Sequence, residues 1–360
     1  MKTRQLRYMA MAMFAVVALF GAACSSDDGG DASSDDGDSS ADLAQPGEGT
    51  TINMARANWS TGYMQAAIYQ QLLEELGYEV TDPAQNELDP ATFFPAAATG
   101  DVDFWVNTWS PVHDFQFVEG NPEIADNVTS LGEEMTQGAL QGILIDKPTA
   151  EEYDITYIDQ IAEDPELSAL FDTDGDGIAD IFGCDVGWGC EKNITDWIAA
   201  NDWGSGLTQI SGSYNAVFTE AVNRVTDGEP TLAYTWTPSA YVTQLIPGDN
   251  VVWLGTEKPL PEQTGAASLG EDVCPAQPCE MGFVASDIRV TANNEFLEAN
   301  PAAEKLFELV KLDVTDVALE NVKYDNGEDT EEDVQRHASE WIEEHRDEVD
   351  QWLQEAANAG

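Results

Sequence analysis

Asp-Phe-Trp-Val-Asn-Thr-Trp-Ser-Pro-Val-His-Asp, residues 103–114, is the stretch on which the fold turns. Residues 103–107 read as a short strand that delivers Trp109 to a Ser-Pro stop. Upstream, residues 51–57 read as another strand. Met64, Ala67, Ile68, Leu72 and Leu76 then recur at helical spacing, and Gly77 closes that helix. Residues 78–80 return as a strand, and a second helix over 90–99 ends at Gly100. The order β-α-β-α-β predicts an open α/β layer with a largely parallel sheet.

Downstream, a second series of the same kind is expected. Residues 140–145 read as a strand, 193–200 and 214–225 as helices, and 230–234 and 251–254 as strands. The strand at 230–234 delivers Trp236 in Tyr-Thr-Trp-Thr-Pro (234–238), a near copy of the Trp109 setting. A third tryptophan, Trp188, sits between two cysteines in Gly-Cys-Asp-Val-Gly-Trp-Gly-Cys (183–190). Open α/β sheets place ligands beyond the carboxyl ends of their strands. Indoles carried there suit the walls of a box around a cation that has no hydrogen-bond donors. Gly187 and Gly189 leave the Trp188 loop bare, so its N–H groups can approach an anion. Trp59, Trp105, Trp197, Trp203 and Trp253 lack such a setting and read as packing residues.

The remaining chain adds a strand at 288–292 and helices from about residue 300. Val334, His337, Trp341, His345, Val349 and Trp352 recur at steps of three or four, one buried stripe on an otherwise acidic helix.

The N-terminus reads as an export signal over 1–23. Lys2, Arg4 and Arg7 precede an apolar run over 9–23 that is short for a bilayer span. Small residues lead to Cys24, as at a bacterial lipoprotein cleavage site, although Gly21 stands where Leu is usual. Cys24 is therefore the expected lipidation site, and ordinary signal cleavage is the alternative. Residues 24–50, rich in Ser, Asp and Gly, read as a disordered acidic linker to that anchor. The chain is expected to be exported and lipid-anchored at the outer face of the cell membrane or in the periplasm.

With 68 acidic residues against 14 basic, nucleic acid and anionic lipid surfaces are poor partners. The charge fits a solvated surface suited to salty surroundings. Beyond Cys24, the cysteines form two close pairs, Cys184/Cys190 and Cys274/Cys279. Export favours disulfides; a four-cysteine zinc site is the alternative, with spacings unlike a zinc ribbon. Asp172, Asp174, Asp176, Ile178 and Asp180 fall at the ligand positions of the front of a calcium loop. Gly183 stands where the bidentate Glu would be, so a structural Ca2+ and a plain Asp-Gly turn both remain open.

Taken together, several stretches carry a family resemblance: Leu76-Gly77-Tyr78, Trp109 to Asp114, Gln141 to Lys147, Leu170 to Glu191, Tyr234 to Pro238 and Asp249 to Leu254. The chain resembles the substrate-binding proteins of glycine betaine/proline-type ABC transporters. The resemblance implies a two-lobed, type II-like periplasmic-binding-protein fold, each lobe a mostly parallel sheet flanked by helices, with the ligand in the cleft between them. It implies lobe 1 over 51–138 plus 287–360 and lobe 2 over 139–286, with hinges near 138–142 and 282–287. It implies that Trp109, Trp188 and Trp236 surround a quaternary ammonium group. The ligand carboxylate would meet the side chain of His113 and the N–H groups of Gly189 and Cys190, on a loop held by a Cys184–Cys190 bridge. The expected partners are that small zwitterion and a membrane permease; the chain is expected to be monomeric, to need no cofactor and to catalyse nothing.

Two other classes compete. An exported hydrolase would need a carboxylate pair that sequence does not reveal; there is no Gly-x-Ser-x-Gly and no His-Glu-x-x-His, and the chain has only three histidines. A calcium-dependent surface module would use the Asp172–Asp180 loop.

Overall fold

The computed structural model describes residues 43–360. The expected export signal, Cys24 and most of the acidic linker lie outside the described residues. Residues 43–50, the end of the expected linker, are among the described residues. Gly47 donates its N–H to the Leu76 carbonyl and sits so close under Tyr78 that a side chain would collide with that ring.

Eleven strands are present among the described residues: β1 (Thr51–Ile52), β2 (Arg56–Ala57), β3 (Glu79–Val80), β4 (Glu87–Leu88), β5 (Phe104–Ser110), β6 (Val128–Asp146), β7 (Ala179–Phe182), β8 (Leu207–Ile210), β9 (Leu232–Thr237), β10 (Val251–Trp253) and β11 (Ser286–Asn293). The main sheet runs β5-β11-β6-β9-β7-β8, with β10 also on β6. β6 spans 19 residues. Its first part pairs with β11 and its second with β9 and β10.

The strand directions refine the parallel expectation. β1 with β3, β2 with β4, and β7 with both β8 and β9 are parallel. β11 is antiparallel to β5 and to β6, and β6 to β9 and β10. Parallel pairing follows where helices make the crossovers. Every antiparallel pair of the main sheet involves β6 or β11. The sequence reading found only the second part of β6. Its first part, Thr-Ser-Leu-Gly-Glu-Glu-Met (129–135), mixes polar residues and glycine into the run and hides the period.

Local chemistry explains the elements around Trp109. Helix Tyr63–Glu75 buries Ile68, Leu72 and Leu73 and ends before Gly77, whose φ is +90°. Helix Pro90–Thr99 has Asp89 as its N-cap, accepting from the Thr92 N–H at 2.9 Å, and Gly100 at φ +75° as its stop. Phe93 from that helix stacks on Trp105 of β5 with ring centroids 4.1 Å apart. The C-terminal stripe divides between two helices, Glu331–Glu344 and Arg346–Ala359, which meet at His345. The first packs on helix Tyr63–Glu75 and the second on helix Pro301–Leu309. Val334, His337, Trp341, Val349 and Trp352 are buried. His345 is only half-buried, and its ring stacks on Trp341. No helix among the described residues is long and apolar enough to cross a membrane.

Candidate functional site

Trp109 lies near the end of strand β5 and Trp236 near the end of β9, each one residue before a cis peptide bond to proline, Ser110–Pro111 and Thr237–Pro238. Trp188 is the N-cap of helix Gly189–Ala200. These three indoles line one cavity, together with Trp59, His113, Gln141, Gly189, Cys190 and Tyr234. About 300 Å³ of space, part of it open to solvent, lies between these residues. Every lining side chain other than His113 is uncharged, and His113 is held neutral by burial, as follows.

All four indole N–H groups are engaged by side chains. Asn107 Oδ1 accepts from Trp59 Nε1 at 2.8 Å and from Trp109 Nε1 at 3.0 Å. Asn107 is itself fixed by donating to Gln65 Oε1, and Gln65 donates to the Thr61 carbonyl. Trp188 Nε1 donates to Asn58 Oδ1 at 2.8 Å, and Trp236 Nε1 to Thr61 Oγ1 at 3.1 Å. With each polar edge tied, what the rings offer the cavity is π surface. Trp188 stands edge-on to Trp236, centroids 5.9 Å apart, and to Trp59, centroids 5.3 Å apart. A cation held there would find electron-rich faces and no carboxylate to desolvate.

The opposite chemistry sits on an adjoining wall. His113 is 5% exposed, and burial lowers its pKa to about 3. The Trp109 backbone N–H donates to His113 Nδ1 at 3.2 Å. The neutral ring must therefore carry its proton on Nε2. That edge faces Gly189, where an added Cβ would lie 3.0 Å from Cδ2 and 3.3 Å from Nε2 of the imidazole. Gly189 and Cys190 are the first two residues of their helix, so no carbonyl of the same helix meets their N–H groups. Three N–H donors and the positive end of a helix thus gather at one side of the cavity, an arrangement suited to an anion. Cys190 is bonded to Cys184, closing the loop that carries Trp188; the second disulfide is Cys274–Cys279, which lines no part of this cavity.

The structure therefore brings together Trp109, Trp188, Trp236, His113, Gly189 and Cys190. It also adds residues the sequence reading did not place there. Trp59, read as packing, shares the cavity wall. Its setting, Asn-Trp-Ser-Thr (58–61), repeats the Trp-Ser step at Trp109 without the proline, and that was the available signal. Tyr234 lies two residues before Trp236 on the same strand, within the quoted motif, whereas Gln141 comes beside Trp236 only through strand pairing.

Residues 50–344 match the family model described as the substrate binding domain of the ABC-type glycine betaine transport system. The chain belongs to this family. It is 36% identical over 316 residues to a glycine betaine/proline betaine-binding periplasmic protein of Escherichia coli (strain K12), covering 87% of this chain and 92% of that one. The same identity and coverage hold for the glycine betaine-binding periplasmic protein OusX of Dickeya dadantii (strain 3937). Among solved structures, lactococcal OpuAC in its closed form with glycine betaine superposes with a TM-score of 0.62 at 17% identity, over 84% of this chain and 99% of that one. A choline-binding ABC-transporter protein complexed with choline gives 0.63 at 15% identity, over 86% and 97% of the respective chains. The fold is that of a two-lobed periplasmic binding protein.

The Asp172–Asp180 loop lies apart from the cavity. Asp172, Asp174 and Asp176 each bring a carboxylate oxygen within 4.8 Å of the others. Asp172 already accepts from the N–H groups of Asp174, Gly175 and Gly177, which hold its pKa below the usual carboxylate range. Asp180 is turned to the Thr173 backbone N–H, at 2.8 Å, and to the Thr173 hydroxyl.

Proposed function

We propose that this chain is an extracytoplasmic binding protein that captures glycine betaine or a related quaternary ammonium zwitterion and delivers it to the permease of an ABC transporter. One observation carries the reading. A cavity free of charged side chains presents four indoles on one part of its wall and three N–H donors on another. That division matches a small molecule with a methylated cation at one end and a carboxylate at the other.

In this reading Trp109, Trp188, Trp236 and Trp59 hold the onium group. Each good face contributes on the order of 0.5–2 kcal/mol. His113 Nε2–H and the N–H groups of Gly189 and Cys190 hold the carboxylate through charge-assisted bonds. The sum is in the range of the roughly −8 kcal/mol of a micromolar complex. Lobe 1 is 51–138 plus 287–360 and lobe 2 is 139–286, with hinges near 138–142 and 282–287. The change of partner along β6 after Ala139, and β11 starting at Ser286, support these limits. Closure is driven by contacts available only when both lobes reach the ligand. Calorimetry with glycine betaine, proline betaine, carnitine and choline tests the assignment. Saturable binding without turnover is expected, and heat of hydrolysis or no binding to any of them would sink it.

The lipid anchor at Cys24 is proposed with it, on the signal-like residues before that cysteine; an unmodified mature N-terminus by mass spectrometry would remove it. The three clustered carboxylates keep a structural Ca2+ in play as a separate reading, tested by whether calcium raises the melting temperature.

A further inference from the structure

Gln141 is 4% exposed and lines the cavity, yet its Nε2 has no hydrogen-bond partner in the protein. A buried amide donor left unpaired is costly, and native structures rarely keep one without a reason. The amide is not free to hide that donor. The Tyr234 hydroxyl donates to Gln141 Oε1 at 2.6 Å. Turning the amide over would put its NH2 against the hydroxyl and strand the phenol proton. β6 pairs Gln141 directly with Trp236, and Tyr234 lies two residues before Trp236 on the same face of β9. Sheet register and the phenol contact fix Oε1 and leave the NH2 as the unbonded end of a side chain that lines the cavity.

We infer that Gln141 is a further ligand-binding residue that selects for the anionic end of the ligand, its Nε2–H donating to a carboxylate oxygen. An amide hydrogen beside a methylated cation would be repelled by it and could form no bond. An oxygen anion is the partner this donor fits. Gln141 would then add a side-chain donor to those of His113, Gly189 and Cys190, and favour carboxylate-bearing onium compounds over onium alcohols. This inference rests on the binding function proposed above.

The test is Gln141→Leu, which keeps the volume and removes the donor. Titration calorimetry should show glycine betaine bound about tenfold more weakly, or worse, because a bond to a charged acceptor is lost. Choline, which has no carboxylate, should change by less than twofold. Gln141→Glu, which places an acidic group there, should weaken glycine betaine further than Gln141→Leu does. The second readout is isotope-edited infrared spectroscopy of 13C-carboxylate glycine betaine bound at saturation. Its carboxylate stretch should shift between wild type and Gln141→Leu. Equal losses for both solutes, or an unshifted stretch, would overturn the inference while leaving the transport reading intact. Wild-type protein that bound neither solute would overturn both.

Discussion

Trp188 turns its ring to the cavity and donates its N–H to Asn58, and Trp236 does the same with Thr61. The face can serve a ligand while the edge stays bonded. Trp188→Ala should therefore weaken glycine betaine at least tenfold by calorimetry, since it removes both π surface and a wall. Trp59→Ala should cost a similar factor, and an unchanged affinity would return Trp59 to a packing role. His113 makes a pH prediction. Because its pKa in the folded protein is lowered to about 3, the unfolded chain binds the extra proton first. Between about pH 6.5 and 3 stability must fall as pH falls, by at most roughly 1.4 kcal/mol per unit from this group. His113→Gln lacks that slope, so the stability gap between wild type and variant should move in the variant's favour on acidification. Over pH 7–8 the imidazole stays neutral, and affinity should be flat. Glu134 has the opposite sign. It is buried, and burial pushes its pKa well above the usual range against the opposing pull of the Tyr69 hydroxyl and Lys311. Its contribution is present at low pH and is lost as pH rises. Glu134→Gln should raise the melting temperature at pH 8 more than at pH 5.

At the level of elements, the loop over 184–190 and the start of helix Gly189–Ala200 act as one unit. The Cys184–Cys190 bond joins residues at a sequence separation of 6. Closing so short a loop restrains the unfolded chain by about 2 kcal/mol in the chain-entropy view. Its further effect is to hold Trp188 and the first two helical N–H groups at the same cavity. Replacing both cysteines by serine should therefore raise the dissociation constant severalfold as well as lower the melting temperature. The same change at Cys274 and Cys279 should lower the melting temperature and leave affinity within twofold. Equal effects on affinity would show that the first disulfide has no special hold on the site. The helices and most strands near the site were legible in sequence, because caps and glycine stops mark their ends: Asp89 and Gly100 frame one, Gly77 another. The first part of β6 was not, because its pairing with β11 across the sheet, rather than its own residue pattern, makes it a strand.

Across the whole molecule, two cavity indoles join the two sequence segments by polar bonds, beside those of Asn321 to the Pro238 carbonyl, Gln244 to Asp325 and Ala91 to Gly187. Trp188 reaches Asn58, Trp236 reaches Thr61, and Thr61 reaches the Pro238 carbonyl. If the segments move as lobes, forming the indole wall and closing the cleft are one event. Asn58→Ala combined with Thr61→Val keeps every aromatic ring but should favour the open form. Small-angle scattering should then show a larger radius of gyration without ligand, and calorimetry a weaker affinity for zwitterion and choline alike. The net charge of −54 belongs to this scale too. Screening relieves self-repulsion, so the melting temperature should rise from low salt to molar sodium chloride.

The tryptophan settings, the glycine-bracketed loop, the paired cysteines and the α/β order were written in the chain, because each depends on neighbours a few residues away. Short-range chemistry of that kind survives in a linear reading. The membership of Trp59, the tautomer of His113 and the unpaired donor of Gln141 came only from the folded chain. Trp59 meets Trp188 across 129 positions of sequence, and Gln141 meets Tyr234 across 93. Whether a buried group is a wall, a donor or mere filling depends on which distant partners reach it, and no local pattern encodes that.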